Sequence, residues 1–355
     1  MRPTVIELEG SNYQMGYQYG RKYGPIIKES VSTNYQITRF YTGLSREDCL
    51  RSVGRFIPHL EESVPHLCDE MKGISDGSGI RYEDILVLNF HSRDLPRGCS
   101  MLFLGKRATR DGRALTGQTV DWTPMLRGYY HVLRLFPDSG PEIVQFTQAG
   151  VIGLVGKNRH GLSVFMNILL TSDTIEIGVP AYLLLRLAME QKNLKEAIAL
   201  LRTKKRSSPF NYLISDSSGK ACNIEATPKN FLPDRISKSF YVHTNHCLQT
   251  RLKPKDMYVK ITGSDETKKR LSRMTRMLRS TARKKIALGD VFNFLADHEN
   301  YPDSICRHGR DRVAEAGRMG TIGAVVSRES EPGLWLIYGN PCANGAEFFP
   351  LTESK

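Results

Sequence analysis

A thiol placed beside an amide bond that it can attack is the most reactive arrangement in this sequence. In the stretch RDLPRGCSMLFLGKRATRDGRALTGQTVDW, residues 93 to 122, Cys99 directly follows Gly98. Attack of the thiol on the Gly98 carbonyl gives a thioester by an N-to-S shift, and water then releases residues 1–98. The new N-terminal cysteine carries an α-amine, a group that titrates near about 7.7–8.0 in ordinary peptides and so can act as general base for its own thiol. Glycine suits the acyl side of such a bond because it tolerates unusual backbone geometry and close approach. A cysteine is equally a small buried hydrophobe, and these two residues alone do not separate the readings.

A combined nucleophile and base still needs an orienting acid and donors for the oxyanion. Asp121 ends the second apolar run and comes back beside Cys99 if the two runs form a hairpin; otherwise it is a turn acid before Trp122. Asn245, in YVHTNHCL at the end of an apolar strand, can offer its amide to an oxyanion or simply satisfy a turn. His243 and His246 sit on either side of it. Their i, i+3 spacing at a strand end turns them to opposite faces, which argues against a shared zinc and against a Cys–His dyad.

The elements that must position these groups follow from periodicity. The first hundred residues read mainly as helices: Leu60, Val64, Leu67, Met71 and Ile74 recur at 4-3-4-3 spacing, and Ser45 with Asp48 forms a capping box. From Met101 onward, MLFLG, ALTGQTV, YYHVLRLF, EIVQFTQ, VIGLVG and LSVFMN alternate with the turn signals RDGR, PDSGP and KNRHG, an antiparallel meander. A helical pair is expected from Pro180 to about Arg202, its second member capped by Asn193 with Glu196. Strands follow at YLISD, ACNIEA and FYVHTN, then a helix over 267–285 and another near Asp290 to Asp297. TIGAVVSR, GLWLIYG and AEFFP close the chain. Strands in two blocks with helices between them predict an α+β fold with two antiparallel sheets between helices.

The 355 residues, 40% of them hydrophobic, suffice for one large domain or two ordinary ones. No run is long enough for a membrane span, and the opening MRPTVIELEG lacks the segments of a signal peptide, so a cytoplasmic location is expected. LTESK at the end is not the S-K-L peroxisomal address. Seven cysteines without a C-x-x-C pair argue against a disulfide framework and against a structural zinc site. No cofactor or metal is expected. The formal charge of +13 and a pI near 9.4 raise the question of an anionic partner. Much of that charge lies in TKKRLSRMTRMLRSTARKK, residues 267–285, where Arg270, Arg273, Arg276, Arg279 and Arg283 form one stripe and Leu271, Met274, Leu278 and Ala282 the opposite one. With no nucleic-acid module beside it, this is read as a solvated helix face, and no nucleic-acid partner is expected.

RGCS with GQTVDW, QAGVIGLVGKNRHGLSVFMN, YVHTNHCL and NYPDSICR, in that order, resemble the acyl-coenzyme A:6-aminopenicillanic acid (isopenicillin N) acyltransferase family within the N-terminal-nucleophile hydrolases. The resemblance runs from YQMGYQYG near Tyr13 to Arg307. It implies an αββα sandwich and a precursor that cuts itself before the cysteine. Residues 1–98 become a small subunit that stays bound as a heterodimer to residues 99–355, which begin at the nucleophile. It further implies that Cys99 is the nucleophile, Asp121 the acid near its amine, Asn245 the oxyanion donor and Arg307 an arginine at the site, with Asn167 before a substrate loop. Ser100 stands where the penicillin-making enzymes have threonine, which keeps a hydroxyl, and residues 249 to 269 depart from the pattern. The expected activity is hydrolysis or transfer of the acyl group of a small non-protein amide through a thioester. The competing readings are a coenzyme A-dependent N-acyltransferase whose arginines meet the phosphates, and a non-catalytic binder of anions or nucleic acid.

Overall fold

The computed structural model describes residues 2–90, 98–281, 284–309 and 313–352. Its strands, in chain order, are β1 (Val5–Gly10), β2 (Met101–Leu104), β3 (Leu115–Trp122), β4 (Tyr130–Pro137), β5 (Ile143–Gln148), β6 (Val155–Asn158), β7 (Ser163–Ile168), β8 (Phe210–Ser215), β9 (Ala221–Ala226), β10 (Phe231–Arg235), β11 (Phe240–His243), β12 (Gly320–Arg328), β13 (Gly333–Tyr338) and β14 (Glu347–Pro350). One sheet runs β1-β4-β5-β6-β7-β8-β9-β10 and the other β11-β2-β3-β12-β13-β14. The sheets face each other, with helices on their outer faces, giving the αββα sandwich of the N-terminal-nucleophile hydrolases. The meander holds for β4 to β10, whereas β2 and β3 belong to the opposite sheet.

Side-chain alternation builds the layers. Along β2, Met101 and Phe103 enter the large core, while Leu102 and Leu104 join a second core with Met274, Leu278 and Val291 under the helices Glu266–Thr281 and Leu288–Leu295. The same period of two divides Val325 of β12 from Ala324 and Val326, and a register shift between Thr321 and Gly323 puts Ile322 in the core of Val325.

Two local expectations are corrected. Val5–Gly10 is a strand, not part of a helical start, and pairs parallel with β4. The segment 1–98 therefore supplies an edge strand of the larger sheet. The apolar stripe from Leu60 to Ile74 is buried throughout, but it spans two helices, Ile57–Ser63 and Pro65–Ser78, because Val64 leaves helical geometry (φ −145, ψ 51) ahead of Pro65. The capping boxes at Ser11 and Ser45 and the Asn193 cap are present.

Helix Asn12–Thr42 meets Pro65–Ser78 through reciprocal glycines. A Cβ on Gly16 would lie 2.0 Å from the Glu70 carbonyl oxygen, and one on Gly73 would lie 2.2 Å from that of Tyr13. The spacing in YQMGYQYG thus serves backbone-to-backbone helix packing, and a larger side chain at either position would push the helices apart.

Candidate active site

Strand register brings the site together. In the antiparallel β2–β3 pair Met101 faces Gln118, and the same register carries on to an isolated bridge between Gly98 and Asp121. Gly98 N donates to Asp121 O at 3.2 Å, and Asp121 N donates to Gly98 O at 3.0 Å. On the other edge of β2, His243 of β11 faces Met101; two residues further along, the Cys99 N–H donates to Asn245 Oδ1 at 3.0 Å. The hairpin expected from the sequence therefore does return Asp121 to the Gly98–Cys99 bond.

Gly98 has a steric reason to be glycine. A Cβ there would stand 2.8 Å from Arg307 Nη1 and 3.2 Å from both Cβ and Oδ2 of Asp121. Replacing Gly98 by alanine should thus displace the groups around the bond and slow any self-cleavage by about 10²-fold, the scale of a small misplacement at a reacting centre. The half-time of the full-length chain after synthesis measures this, and a wild-type half-time in Gly98→Ala would contradict it.

Cys99 is 2% exposed, so it is covered in the continuous chain. Its carbonyl accepts from Arg270 Nη1 at 2.7 Å and from Asn167 Nδ2 at 3.4 Å. Asn245 turns its oxygen, not its nitrogen, to Cys99: Oδ1 also accepts from Arg270 Nη2 at 2.9 Å, while Nδ2 donates to Ile168 O at 3.2 Å. A flip would set the amide nitrogen against two donors.

Asp121 is buried and accepts from Thr321 Oγ1 at 2.8 Å and Thr119 Oγ1 at 3.3 Å. A register shift between Thr321 and Gly323 in β12 aims this hydroxyl, which also accepts from the Arg307 N–H at 2.9 Å. Burial pushes the Asp121 carboxyl above the usual carboxylate range, against the opposing charges of Arg307 and Arg270.

Arg270 is the residue the sequence reading misplaced. It is 1% exposed, not on an outer basic face, and its fork reaches Cys99 O, Ser100 Oγ at 3.0 Å, Asn245 Oδ1 and Glu266 Oε2 at 2.6 Å. Glu266 also pairs with Arg307 at 3.1 Å and accepts from the Tyr258 hydroxyl. Burial alone would push the Glu266 carboxyl up; the charges of Arg270 and Arg307 outweigh it and hold the group down to about 2. The buried stripe of this helix is Thr267, Arg270, Met274 and Leu278. Arg273 pairs with Asp297 and Glu299, Arg276 pairs with Glu299, and Arg279 is exposed. Ala282 and Arg283 lie outside the described residues, as do residues 91–97 just before the candidate bond.

Behind the site, Asn167 Oδ1 lies 2.9 Å from His243 Nδ1, and His243 Nε2 lies 3.0 Å from Glu225 Oε1. Burial acts to raise the Glu225 carboxyl, but His243 and the N–H groups of Leu248 and Gln249 leave it below its ordinary value. His243 thus supports Asn167. Glu266, Arg307 and Tyr258 also line a cavity of about 1200 Å³ with walls from Tyr41, Ile261 and Met319.

Residues 108–343 match the acyl-coenzyme A:6-aminopenicillanic acid acyl-transferase family. The 40 kDa form of the acyltransferase of that name from Emericella nidulans is 23% identical over 309 residues, 85% of this chain and 84% of that one. The beta-alanyl-dopamine/carcinine hydrolase of Drosophila melanogaster is 22% identical over 267 residues, 66% of this chain and 67% of its own length. Among solved structures, a variant of the conjugated bile acid hydrolase from Clostridium perfringens superposes with a TM-score of 0.50 at 13% identity, covering 72% of this chain and 98% of that one. Penicillin V acylase from Agrobacterium tumefaciens gives the same score and identity, covering 72% of this chain and 86% of its own. These last two likenesses concern the fold.

Proposed function

The chain belongs to the acyl-coenzyme A:6-aminopenicillanic acid acyltransferase family, and from that premise we propose that it is a self-processing amidohydrolase or acyltransferase whose first substrate is its own Gly98–Cys99 bond. The observation that carries the reading is the way two strand ends and a helix hold that bond: the carbonyl on the Asp121 N–H, the amide nitrogen on Asn245 and the following carbonyl on Arg270 of the helix Glu266–Thr281.

In the continuous chain Cys99 Sγ attacks the Gly98 carbonyl carbon, and the Asp121 N–H stabilises the oxyanion. The thiol proton passes to the Cys99 nitrogen as the C–N bond breaks, leaving a thioester and a free α-amine. Water then adds its oxygen to the Gly98 acyl carbon and returns a proton to sulfur. The acyl group of a later substrate takes the position vacated by Gly98, within reach of the same N–H. The α-amine accepts the thiol proton and passes it to the leaving amine, and water or a second amine resolves the thioester. Asn245 holds the amine through Oδ1; acting as an oxyanion donor would require it to release Ile168. The apolar and charged walls of the adjoining cavity suit a small non-protein amide with an apolar acyl part and a polar part. The carboxylate partners of Arg273 and Arg276 favour an ordinary paired surface over one that binds coenzyme A phosphates or nucleic acid.

Two variants test the division of labour. Asn245→Ala should slow both self-cleavage and hydrolysis of chromogenic acyl anilides by on the order of 10²-fold, the scale of a misplaced reacting group. Asn245→Asp keeps the acceptor and removes the donor, so it should retain most of the self-cleavage rate. Equal losses in the two variants would assign the donor role instead. Acid-quenched reaction mixtures should show one acyl group on the 99–355 fragment, removable by hydroxylamine; a fragment that never gains mass during turnover would contradict the thioester route.

A further inference from the structure

Beside the segment that carries Arg307 lies a second grouping that the acyl chemistry does not use. His298, Cys306, His308 and Cys342 each bring one ligand atom into a single group, and the four atoms lie within 4.8 Å of one another. The two sulfurs are 3.7 Å apart. Cys306 Sγ and Cys342 Sγ lie 3.7 and 3.4 Å from His308 Nε2, and the two histidine Nε2 atoms are 2.9 Å apart.

These separations can be compared with a tetrahedral zinc ion, for which Zn–S is about 2.3 Å and Zn–N about 2.0–2.1 Å. Such a centre sets ligands roughly 3.8 Å (S to S), 3.6 Å (S to N) and 3.4 Å (N to N) apart. The sulfur–sulfur distance and the two sulfur–nitrogen distances of His308 agree within about 0.2 Å; the exposed His298 has to part from His308 by about half an ångström and settle against both sulfurs, all four atoms already lying within 4.8 Å of one another. We propose that His298, Cys306, His308 and Cys342 bind one zinc ion as a closed two-thiolate, two-imidazole structural site.

The donor set selects the metal. Two thiolates favour a soft or borderline ion, two imidazoles suit zinc, and no ligand oxygen is present to favour a hard cation. Binding is balanced: both thiols lose their protons to solvent, both imidazoles bind through neutral nitrogens, and two thiolates cancel the charge of the ion. Supporting contacts are in place. Asn340 Nδ2 donates to Arg307 O at 2.6 Å and lies 3.6 Å from Cys306 Sγ, the Cys306 N–H donates to Asp297 O at 3.0 Å, and His308 bridges to Gly320 at the start of β12. Cys306 is buried while His298, His308 and Cys342 are exposed, so the ion has a route in.

The ligands come from His-x7-Cys-x-His and a cysteine far downstream, not from a paired-cysteine knuckle, which is why spacing in the sequence argued against zinc. Their place gives the site a use. Cys306 and His308 are the immediate neighbours of Arg307, so a bound ion fixes the backbone on both sides of the arginine that pairs with Glu266 and stands where a Cβ on Gly98 would point. The metal is structural and lies outside the acyl chemistry; its presence does not depend on the self-cleavage reading.

The full chain, purified without added metal or chelator, should contain about one zinc per molecule by elemental mass spectrometry. Zinc returned to the stripped protein should release two protons per ion. Cobalt(II) in its place should give the intense visible absorption and thiolate charge-transfer band of a tetrahedral sulfur–nitrogen site. Cys342→Ser and His298→Ala change exposed side chains and should each weaken zinc binding by at least about 10²-fold in competition with a chromophoric chelator, with the circular dichroism spectrum unchanged. Retention of wild-type affinity in both variants would overturn the proposal. So would failure of the reduced protein to bind zinc, or an intact mass lower by two hydrogens from a Cys306–Cys342 disulfide in freshly purified protein.

Discussion

Cys99→Ala is expected to leave the chain uncut and without amide-cleaving activity, with its fold retained. The thiol is the only group at this bond assigned to attack carbon, and alanine fills most of the space of a buried cysteine without adding a polar atom. The strand ends that hold the bond do not involve Sγ: the Gly98–Asp121 bridge and the bond from Cys99 N–H to Asn245 are backbone contacts of residues 98 and 99. The variant should therefore run as a single species on a denaturing gel, melt cooperatively, and show no burst or turnover with acyl anilides. Cys99→Ser separates geometry from reactivity. It keeps a weaker nucleophile in the same cradle and should cut much more slowly than wild type, yet measurably over long incubation. Rapid cutting of Cys99→Ala would mean that another group is the nucleophile.

Arg270→Gln is expected to lower stability by about 3–5 kcal/mol and to abolish or severely slow self-cleavage. Breaking a buried ion pair leaves a charge without its partner, and removing the longer side chain also leaves the Cys99 carbonyl and Ser100 hydroxyl without their guanidinium donor. Arg270→Lys should recover only part of the loss, because an ammonium cannot span Glu266, Cys99 and Asn245 as the planar fork does. The contrast lies on the same helix. Changing Arg273, Arg276 and Arg279 together to Gln should cost little beyond about half a kcal/mol per position, since these arginines are exposed or paired at the surface. Denaturant melts of the two sets, together with the half-time of the full-length chain, measure both effects. Equal behaviour of Arg270→Gln and the triple variant would contradict a buried Arg270–Glu266 pair on which the fold depends.

Much of the site could be read from the sequence because it is built from strand ends. A cysteine after glycine, an aspartate closing the next strand and an asparagine two residues past a third are all placed by antiparallel register, which a period of two reveals. The helix was harder. Five arginines at regular spacing looked like one solvated stripe, yet Arg270 is in line with Met274 and Leu278, and Glu266 stands four residues before it; that i, i+4 pair leading an apolar row was the available signal. Pro65 marks the break at Val64, and the alternation in VIELEG marks β1; both are local signals inside a stretch whose overall periodicity is helical. The cluster around Cys306 could not be found by spacing, because β12 and β13 separate its last ligand from the others before the fold reunites them.

The most direct test of self-processing at Gly98–Cys99 is N-terminal sequencing of the purified wild-type protein after separation on a denaturing gel. Two co-purifying fragments of roughly 11 and 29 kDa are expected, the larger beginning Cys-Ser-Met. A folded, active protein that remains one uncut chain, or a larger fragment beginning at any other residue, would contradict it.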